Sequence, residues 1–361
     1  MLDEYRDADV RLVVLMMAEG ANQDGEPQSL ARLICERWEM DVIAPAGSAR
    51  VTSDGTLFAP EVLGESGGWW HFSPGESIRR VSTAVPVPSW KTAVKRVGRQ
   101  VVGGYEVEPV PAGLAIRPVG PVPAATRTSL HMLPPERERP HLVIASPTVP
   151  VAVLAVVIAA LPHDIRGRLR LVSLNGQPLL ETGVALAELL GSDVRVAVGA
   201  PLAVKSSSPS DVLTGDVTVD LGLVDAAGVA WQPFARTVVC SPVPDGSGAQ
   251  VRVAEWEVPP ALNLGDGSAV VTPAGVWIGP GGCSPPPLAG ARPWSAEALA
   301  IELGAPRRII DDALWEELEQ LVAQLEPEMR RRAVVHVHGV RGIEEERRLL
   351  RVAKRYDLRA G

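Results

Sequence analysis

The sequence predicts an α/β protein with two related units, which contain mixed or parallel sheets and β-hairpins, and a C-terminal helical extension. Three observations lead to this prediction. The phrase PAGLAIRP at 111–118 recurs as PAGVWIGP at 273–280. Apolar strand-type runs alternate with amphipathic helical stretches in both halves. A final stretch at 310–325 has a helical stripe of apolar residues.

Similarity at nearly the same offset extends well beyond that phrase. RLV at 11–13 matches RLV at 170–172, and each opens an apolar strand-type run. A helical stretch and a second short strand follow in both copies, and then the aromatic motifs WHF at 70–72 and WQPF at 231–234. The offset stays between 156 and 162 residues, which favours an internal duplication. The alternative is that a composition of 34 Gly and 33 Pro generates similar phrases by bias.

The repeated phrase has the pattern of a hairpin. Pro-Ala-Gly is typical of a tight turn in which Gly113 and Gly275 take positive φ. The alternating residues that follow predict a strand, and the last proline ends it. We interpret the phrase as a structural device rather than a binding loop.

Two further segments predict strand–helix arrangements. Residues 141–174 read as strand, buried helix and strand, so the two strands should be parallel. Their apolar run at 149–161 has thirteen residues, too few for a membrane span. A third partial unit begins with the strand at 331–340 and continues into a helix.

Composition shifts give the domain boundaries. They are a first unit at 1–120, a Pro-rich linker at 121–139, a second unit at 140–282, a Pro/Gly spacer at 283–293 and a helical extension at 294–361. Within the extension, residues 295–328 are acidic and 329–361 are basic. Its apolar stripe (Ile310, Leu314, Leu318, Leu321, Val322 and Leu325) needs covering. The segment could dock a protein partner or a second copy, or pack on the chain's own sheet.

Composition excludes several function classes. A net charge of −8 argues against nucleic-acid binding. Three widely spaced cysteines form neither a disulfide framework nor a zinc motif. The acidic start MLDEYRDADV lacks the character of a signal peptide, so we expect a cytoplasmic protein. Neither a Walker sequence nor a strand–GxGxxG–helix pattern occurs, and we predict no cofactor and no metal.

The catalytic residues remain unknown from sequence, with His336 and His338 as weak candidates. Period two places both histidine side chains of VHVHG on one face of a strand, where they could bind a metal or provide a catalytic base. The alternative is that they occupy the half-exposed face of an edge strand. His71 is expected in turn packing. Cys35 is expected in a helix core, Cys240 in a strand and Cys283 in the exposed spacer.

Parts of the sequence resemble the caspase/CHAT-like hydrolase fold of large actinobacterial proteins. The similar stretches are LARLICERWEMDVIAPAG and LAELLGSDVRVAVGAP, and the resemblance covers roughly 11–75 and 140–235. It implies a His-Gly at one strand end and a Cys at the next. Here these positions hold Ser146-Pro147 and Asn175-Gly176, and the first copy has Ala18-Glu19-Gly20.

The departures lead to two function hypotheses. The first is a non-enzymatic interaction or scaffold protein built from catalytically dead units, and fold-level analogy ties it to a bacterial toxin, conflict or secretion system. The alternative is a caspase-like hydrolase whose site forms between units around His338, since His338-Gly339 matches the His-Gly motif.

Overall fold

The computed structural model describes most of the chain. The described residues are 10–21, 29–52, 54–61, 67–205, 217–224, 230–231, 235–243, 249–256, 267–272, 274–292, 295, 297–325, 327–340 and 342–361. Helices and mixed parallel and antiparallel sheets confirm the α/β class. The chain divides into two compact units, Met1–Asn175 with Pro201–Asp220, and Gly176–Ala200 with Leu221–Gly361.

The described residues form the following strands and helices. The strands are β1 Leu12–Val14, β2 Asp41–Pro45, β3 Arg50–Val51, β4 Leu57–Phe58, β5 Trp69–Phe72, β6 Arg79–Ser82, β7 Ala84–Val85, β8 Gln100–Val102, β9 Tyr105–Val110, β10 Gly113–Pro118, β11 His141–Ile144, β12 Arg170–Ser173, β13 Val194–Ala197, β14 Ala200–Lys205, β15 Val217–Val224, β16 Ala230–Trp231, β17 Ala235–Pro242, β18 Ala249–Trp256, β19 Gly267–Thr272, β20 Gly275–Pro280, β21 Leu299–Leu303, β22 Ala333–Val337 and β23 Arg359–Ala360. The helices are α1 Leu30–Trp38, α2 Lys91–Val97, α3 Ala124–Met132, α4 Val151–Ala159, α5 His163–Arg166, α6 Leu180–Leu190, α7 Pro287–Ala291, α8 Asp312–Gln324, α9 Pro327–Arg332 and α10 Ile343–Tyr356.

In the first unit, a small sheet has the strand order β1–β2–β5–β6, with β1 parallel to β2 and the later pairs antiparallel. Helix α1 packs on it because its apolar stripe (Ala31, Ile34 and Cys35) is buried. Ser29 caps this helix by accepting a hydrogen bond from the backbone N of Arg32 at 3.3 Å. A short antiparallel sheet of β3, β4 and β7 lies in the same unit.

Strands β8 to β12 also belong to the first unit. Strands β8, β9 and β10 are antiparallel, whereas β10, β11 and β12 are parallel. The parallel pair β11–β12, with α4 and α5 between them in sequence, confirms the βαβ arrangement expected for 141–174. The buried faces of β11 and β12 explain their continuous apolar character.

In the second unit, β19 and β20 form an antiparallel hairpin, and β20, β21, β22 and β23 follow in parallel. Strands β13, β17 and β18 are antiparallel neighbours, and α6 packs against all three. Strand β22 followed by α10 confirms the strand–helix arrangement expected for the third partial unit.

Residues 111–118 and 274–280 form the turn and second strand of a hairpin, as expected, while Pro273 lies outside the described residues. Gly113 lies opposite His141 in the parallel pair β10–β11, and Gly275 lies opposite Ala300 in β20–β21. A Cβ on Gly113 would lie 2.2 Å from the carbonyl oxygen of His141, and one on Gly275 would lie 2.0 Å from that of Ala300. Gly113 has a φ of 148°, but Gly275 does not take positive φ, so that expectation was wrong. Close approach of the neighbouring backbone is the requirement that both glycines share.

The apolar stripe expected at 310–325 is buried within its own unit. All six of its residues are at most 5% exposed, and α8 contacts β19 and β20. Asp311 caps the helix by accepting a hydrogen bond from Leu314 N at 3.0 Å. The stripe therefore covers the sheet of its own unit and gives no free docking face.

The opposite charges of the C-terminal segment also pair within the unit. Arg355 Nη1 lies 2.8 Å from Glu319 Oε2, and Arg348 forms an ion pair with Asp312, so α10 is tied to α8 twice. Both pairs are partly exposed to solvent, so each contributes little to stability.

The segments expected to be connectors differ from that expectation where the structure describes them. Residues 124–132 of the expected linker form α3, whose Leu130 is buried in a core cluster with Leu133. Residues 287–291 of the expected spacer form α7 with Ala289 buried. The WQPF motif, apart from Trp231, lies outside the described residues, as do residues 206–216.

Candidate functional site

The candidate histidines lie at the carboxyl end of β22, between β21 and β23. His336 lies opposite Glu302 in the β21–β22 pair. His338 is the first residue after β22, and its backbone N donates to Leu303 O at 2.8 Å. Carboxyl ends of parallel strands are where α/β proteins commonly place functional groups, which makes this the first place to look.

Glu302 forms the centre of a polar cluster that we call the Glu302 network, with Arg292 and His338. Glu302 is fully buried, and its Oε2 lies 2.5 Å from Nε2 of His338. Its other oxygen, Oε1, accepts a hydrogen bond from Nε of Arg292. A buried carboxylate is costly unless it is paired and hydrogen-bonded, and here both oxygens have partners.

The Glu302 network resembles the orienting part of a general base. An ionised carboxylate only accepts hydrogen bonds, so His338 donates through Nε2 and its ring is fixed. Such a pair can orient a histidine ring, but hydrolysis through a covalent intermediate also needs a nucleophile within reach.

The cysteines do not supply this nucleophile in the described structure. Cys35 is buried on the core-facing side of α1, and burial raises its pKa. Burial also raises the pKa of Cys240, on β17, to about 11. Cys283 is half-exposed in the turn after β20, and its backbone N donates to Pro280 O at 3.1 Å. The hydrogen bonds described for His338 go to Leu303 and Glu302.

The strand ends that the caspase-like resemblance singles out contain no such pair either. Ser146-Pro147 follows β11, Asn175-Gly176 follows β12 and Ala18-Glu19-Gly20 follows β1. None of these side chains is a thiol or an imidazole.

His71 does not lie in a turn. It is on β5, where Nδ1 accepts a hydrogen bond from Arg79 Nε at 2.9 Å and Nε2 lies 3.6 Å from Asp41. The expectation of turn packing was wrong because the aromatic run WWHF pairs with β2 as a strand.

A second buried polar cluster lies at the amino ends of β11 and β12. Arg170 pairs with Glu136, and its Nη2 lies 2.8 Å from Nε2 of His141. Arg170 and His141 are almost fully buried. Burial by itself would raise the pKa of Glu136, but the hydrogen bond with His141 and the charge of Arg170 lower it to about 2. The pKa of His141 is also lowered, mainly by burial and next by the charge of Arg170. We interpret this cluster as structural, since its three groups pair with one another at the amino ends of these strands.

Sequence reasoning identified His338 but missed Glu302 and Arg292. A signal was present, because Glu302 is the single charged residue in the apolar run LAIEL. A charge in a buried strand requires a partner, although the sequence does not identify it. Among the described residues, no group of three or more His, Cys, Asp or Glu side chains could hold a metal ion.

Comparisons with known proteins add nothing to this site. No protein-family model, curated protein or solved structure matches the chain. Across the described part of the chain, every helix is too short or too polar to cross a membrane.

Proposed function

We propose that this protein is a non-enzymatic interaction or scaffold protein built from a duplicated α/β unit. The observation that carries the proposal is the local environment of the candidate groups: the ring of His338 is bonded to a buried carboxylate, while Cys35 and Cys240 are buried thiols with raised pKa values. A buried, protonated thiol is a poor nucleophile.

The matching hairpins support the duplication within this proposal. In each, the glycine of the PAG phrase begins a strand that pairs in parallel with the next strand of its sheet. The later strands also correspond, since β2, β5 and β6 are successive antiparallel neighbours, as are β13, β17 and β18. A helix packs on the central strands in both places, α1 in one and α6 in the other.

An apolar sheet edge supports an interaction role. Strand β1 is at the edge of its sheet and exposes Leu12 and Val14, and Met16 and Met17 just after it are also exposed. Clustered apolar side chains at a strand edge are typical of surfaces that protein partners cover.

Hydrolysis assays test the proposal directly. We expect the purified chain to turn over a panel of fluorogenic peptides and esters only at the background rate. His338→Gln should leave that rate unchanged, as should the control His163→Gln, which alters an exposed histidine at the start of α5. Turnover that His338→Gln abolishes and His163→Gln retains would contradict the proposal.

The second candidate is a hydrolase of caspase-like type with His338 as its base. The contact between His338 and Glu302 favours it, because a carboxylate that fixes a histidine ring is a common part of such sites. The same assay separates the two candidates, since the hydrolase requires turnover that depends on His338.

A further inference from the structure

The first unit contains a cavity of about 290 Å³ that belongs to neither polar cluster described above. Its walls come from β6, α2, α3 and the hairpin turn between β9 and β10. Pro111 of the first PAG phrase is one of the turn residues that line it. Four separate elements therefore meet around one space.

The charged groups around this cavity are mainly cationic. Lys91, Lys95 and Arg80 all line it. Among the described lining residues, Glu61 is the acidic one, and it forms an ion pair with Arg80. The positive charges of Lys91 and Lys95 are left without a carboxylate among these lining residues.

Lys91 is the lining group whose environment most favours an anionic ligand. Its Nζ donates to Oγ of Ser82, a neutral acceptor that also accepts from Ala84 N at 3.1 Å. Burial, together with the charges of Lys95 and Arg80, lowers the pKa of Lys91 to about 8. A half-buried ammonium beside two other cations is electrostatically unfavourable, and an anion bound beside it would offset this repulsion.

Apolar side chains also line the cavity. Val94 and Val110 line it together with Trp90 and the prolines of the hairpin turn. His131 also lines it, and burial lowers the pKa of its ring, so at neutral pH it adds a polar but uncharged group. A cavity lined by both cationic and apolar side chains is suited to a ligand that has an anionic group and an apolar body.

We propose that this cavity binds a small organic anion, with its carboxylate or phosphate at Lys91 and Lys95 and its apolar body against Val94 and Val110. Cationic side chains form charge-assisted hydrogen bonds with both kinds of headgroup. This proposal does not depend on the proposed function, because none of these residues belongs to the Glu302 network.

Anion binding at this place has a defined pH dependence. The groups that face Lys91 are Arg80, Glu61, Lys95 and His131. The bound anion favours the protonated lysine, so binding should weaken as the pH rises above about 8, where free Lys91 loses its proton.

Titration calorimetry on the full chain tests the proposal with benzoate, phenyl phosphate and neutral benzamide as probes. We expect at least one of the two anions to bind and benzamide not to bind. Binding of benzoate alone identifies a carboxylate site, and binding of phenyl phosphate alone identifies a phosphate site. If neither anion binds, or if benzamide binds equally well, the proposal is overturned.

A matched pair of variants locates the binding. Lys91→Met should weaken the anion at least about tenfold, which is about 1.4 kcal/mol, whereas the control Lys354→Met removes the same charge from an exposed position on α10 and should have no effect. Equal binding by Lys91→Met and the wild type would overturn the proposal. The wild type provides an independent check if Lys91→Met fails to fold: its affinity should fall about tenfold between pH 7 and pH 9.5, and an unchanged affinity would also overturn the proposal.

Discussion

Replacing Gly275 with alanine should destabilise the second unit through one steric contact. The new Cβ would lie 2.0 Å from the carbonyl oxygen of Ala300 and 2.9 Å from its carbonyl carbon and its nitrogen. Gly275 does not take positive φ, so backbone strain adds nothing to this effect. Strands β20 and β21 must separate to accept the methyl group, and the hydrogen bond from Ala300 N to Ala274 O, 3.0 Å long, is weakened.

The magnitude follows from three contributions. Overpacking of a tight site costs about 1–3 kcal/mol, and a weakened hydrogen bond costs about 0.5–1.5 kcal/mol. Alanine also lowers the conformational entropy of the unfolded chain, which offsets about 0.4–1 kcal/mol of the loss. The midpoints of these ranges give an expected loss of about 2 kcal/mol in the free energy of unfolding.

Denaturant unfolding followed by tryptophan fluorescence measures this loss, and Trp277 on β20 is a buried reporter in the same sheet. The control is Gly290→Ala in α7, where a Cβ meets nothing within 4 Å. That substitution should cost nothing or add up to about 1 kcal/mol of stability. The reasoning is refuted if the two variants unfold within about 0.5 kcal/mol of each other, since surface changes of no consequence fall in that range.

Three more predictions concern other parts of the chain. Gly113→Ala should destabilise the first unit by at least as much, because its Cβ would lie 2.2 Å from His141 O and its φ of 148° disfavours alanine. Gly167→Ala, with its nearest contact at 4.0 Å, should not destabilise it, and thermal unfolding compares the two variants. The pKa of Glu136, about 2 in the folded chain, lies below its ordinary value of 4.5, so its stabilising effect is complete above pH 4.5 and is lost as the pH falls towards 2. When the free energy of unfolding is measured against pH, the wild type should lose stability in acid and Glu136→Gln should lose less. Equal pH dependence in the two proteins would contradict the low pKa of Glu136. Arg355→Ala should lower the free energy of unfolding by less than about 1 kcal/mol, because its ion pair with Glu319 is exposed to solvent. A loss above about 2 kcal/mol in denaturant unfolding would contradict this expectation.

The sequence pattern was sufficient to predict much of the fold because the signals were local. The PAG hairpins, the parallel strands around α4 and the apolar stripe of α8 each depend on residues close together in the chain. Helix α3 was missed because prolines at both ends of 121–139 dominate its composition, although Leu130 packs in the core. Local composition does not report which side chain a neighbouring sheet will cover.

The candidate sites depend on contacts between distant residues, which explains why they were only partly predicted. His338 and Glu302 are 36 residues apart and meet only because β21 and β22 pair in parallel register. The cavity around Lys91 combines four elements, and no single stretch contains its pattern of charges. A single charge in an apolar strand predicts that some partner exists, and the register determines which residue it is.

Residue-specific alkylation of the native chain by iodoacetamide at pH 7, read by mass spectrometry, tests most directly whether the protein lacks a cysteine-type active site. Because burial raises the pKa of Cys240 from 9.0 to about 11, its thiolate fraction should be about a hundredfold below that of a free thiol. We predict that Cys240 and Cys35 react only after unfolding, that half-exposed Cys283 reacts first, and that His338→Gln changes none of these rates. A cysteine that reacts faster than a free thiol in the native chain, and loses that advantage in His338→Gln, would contradict the account.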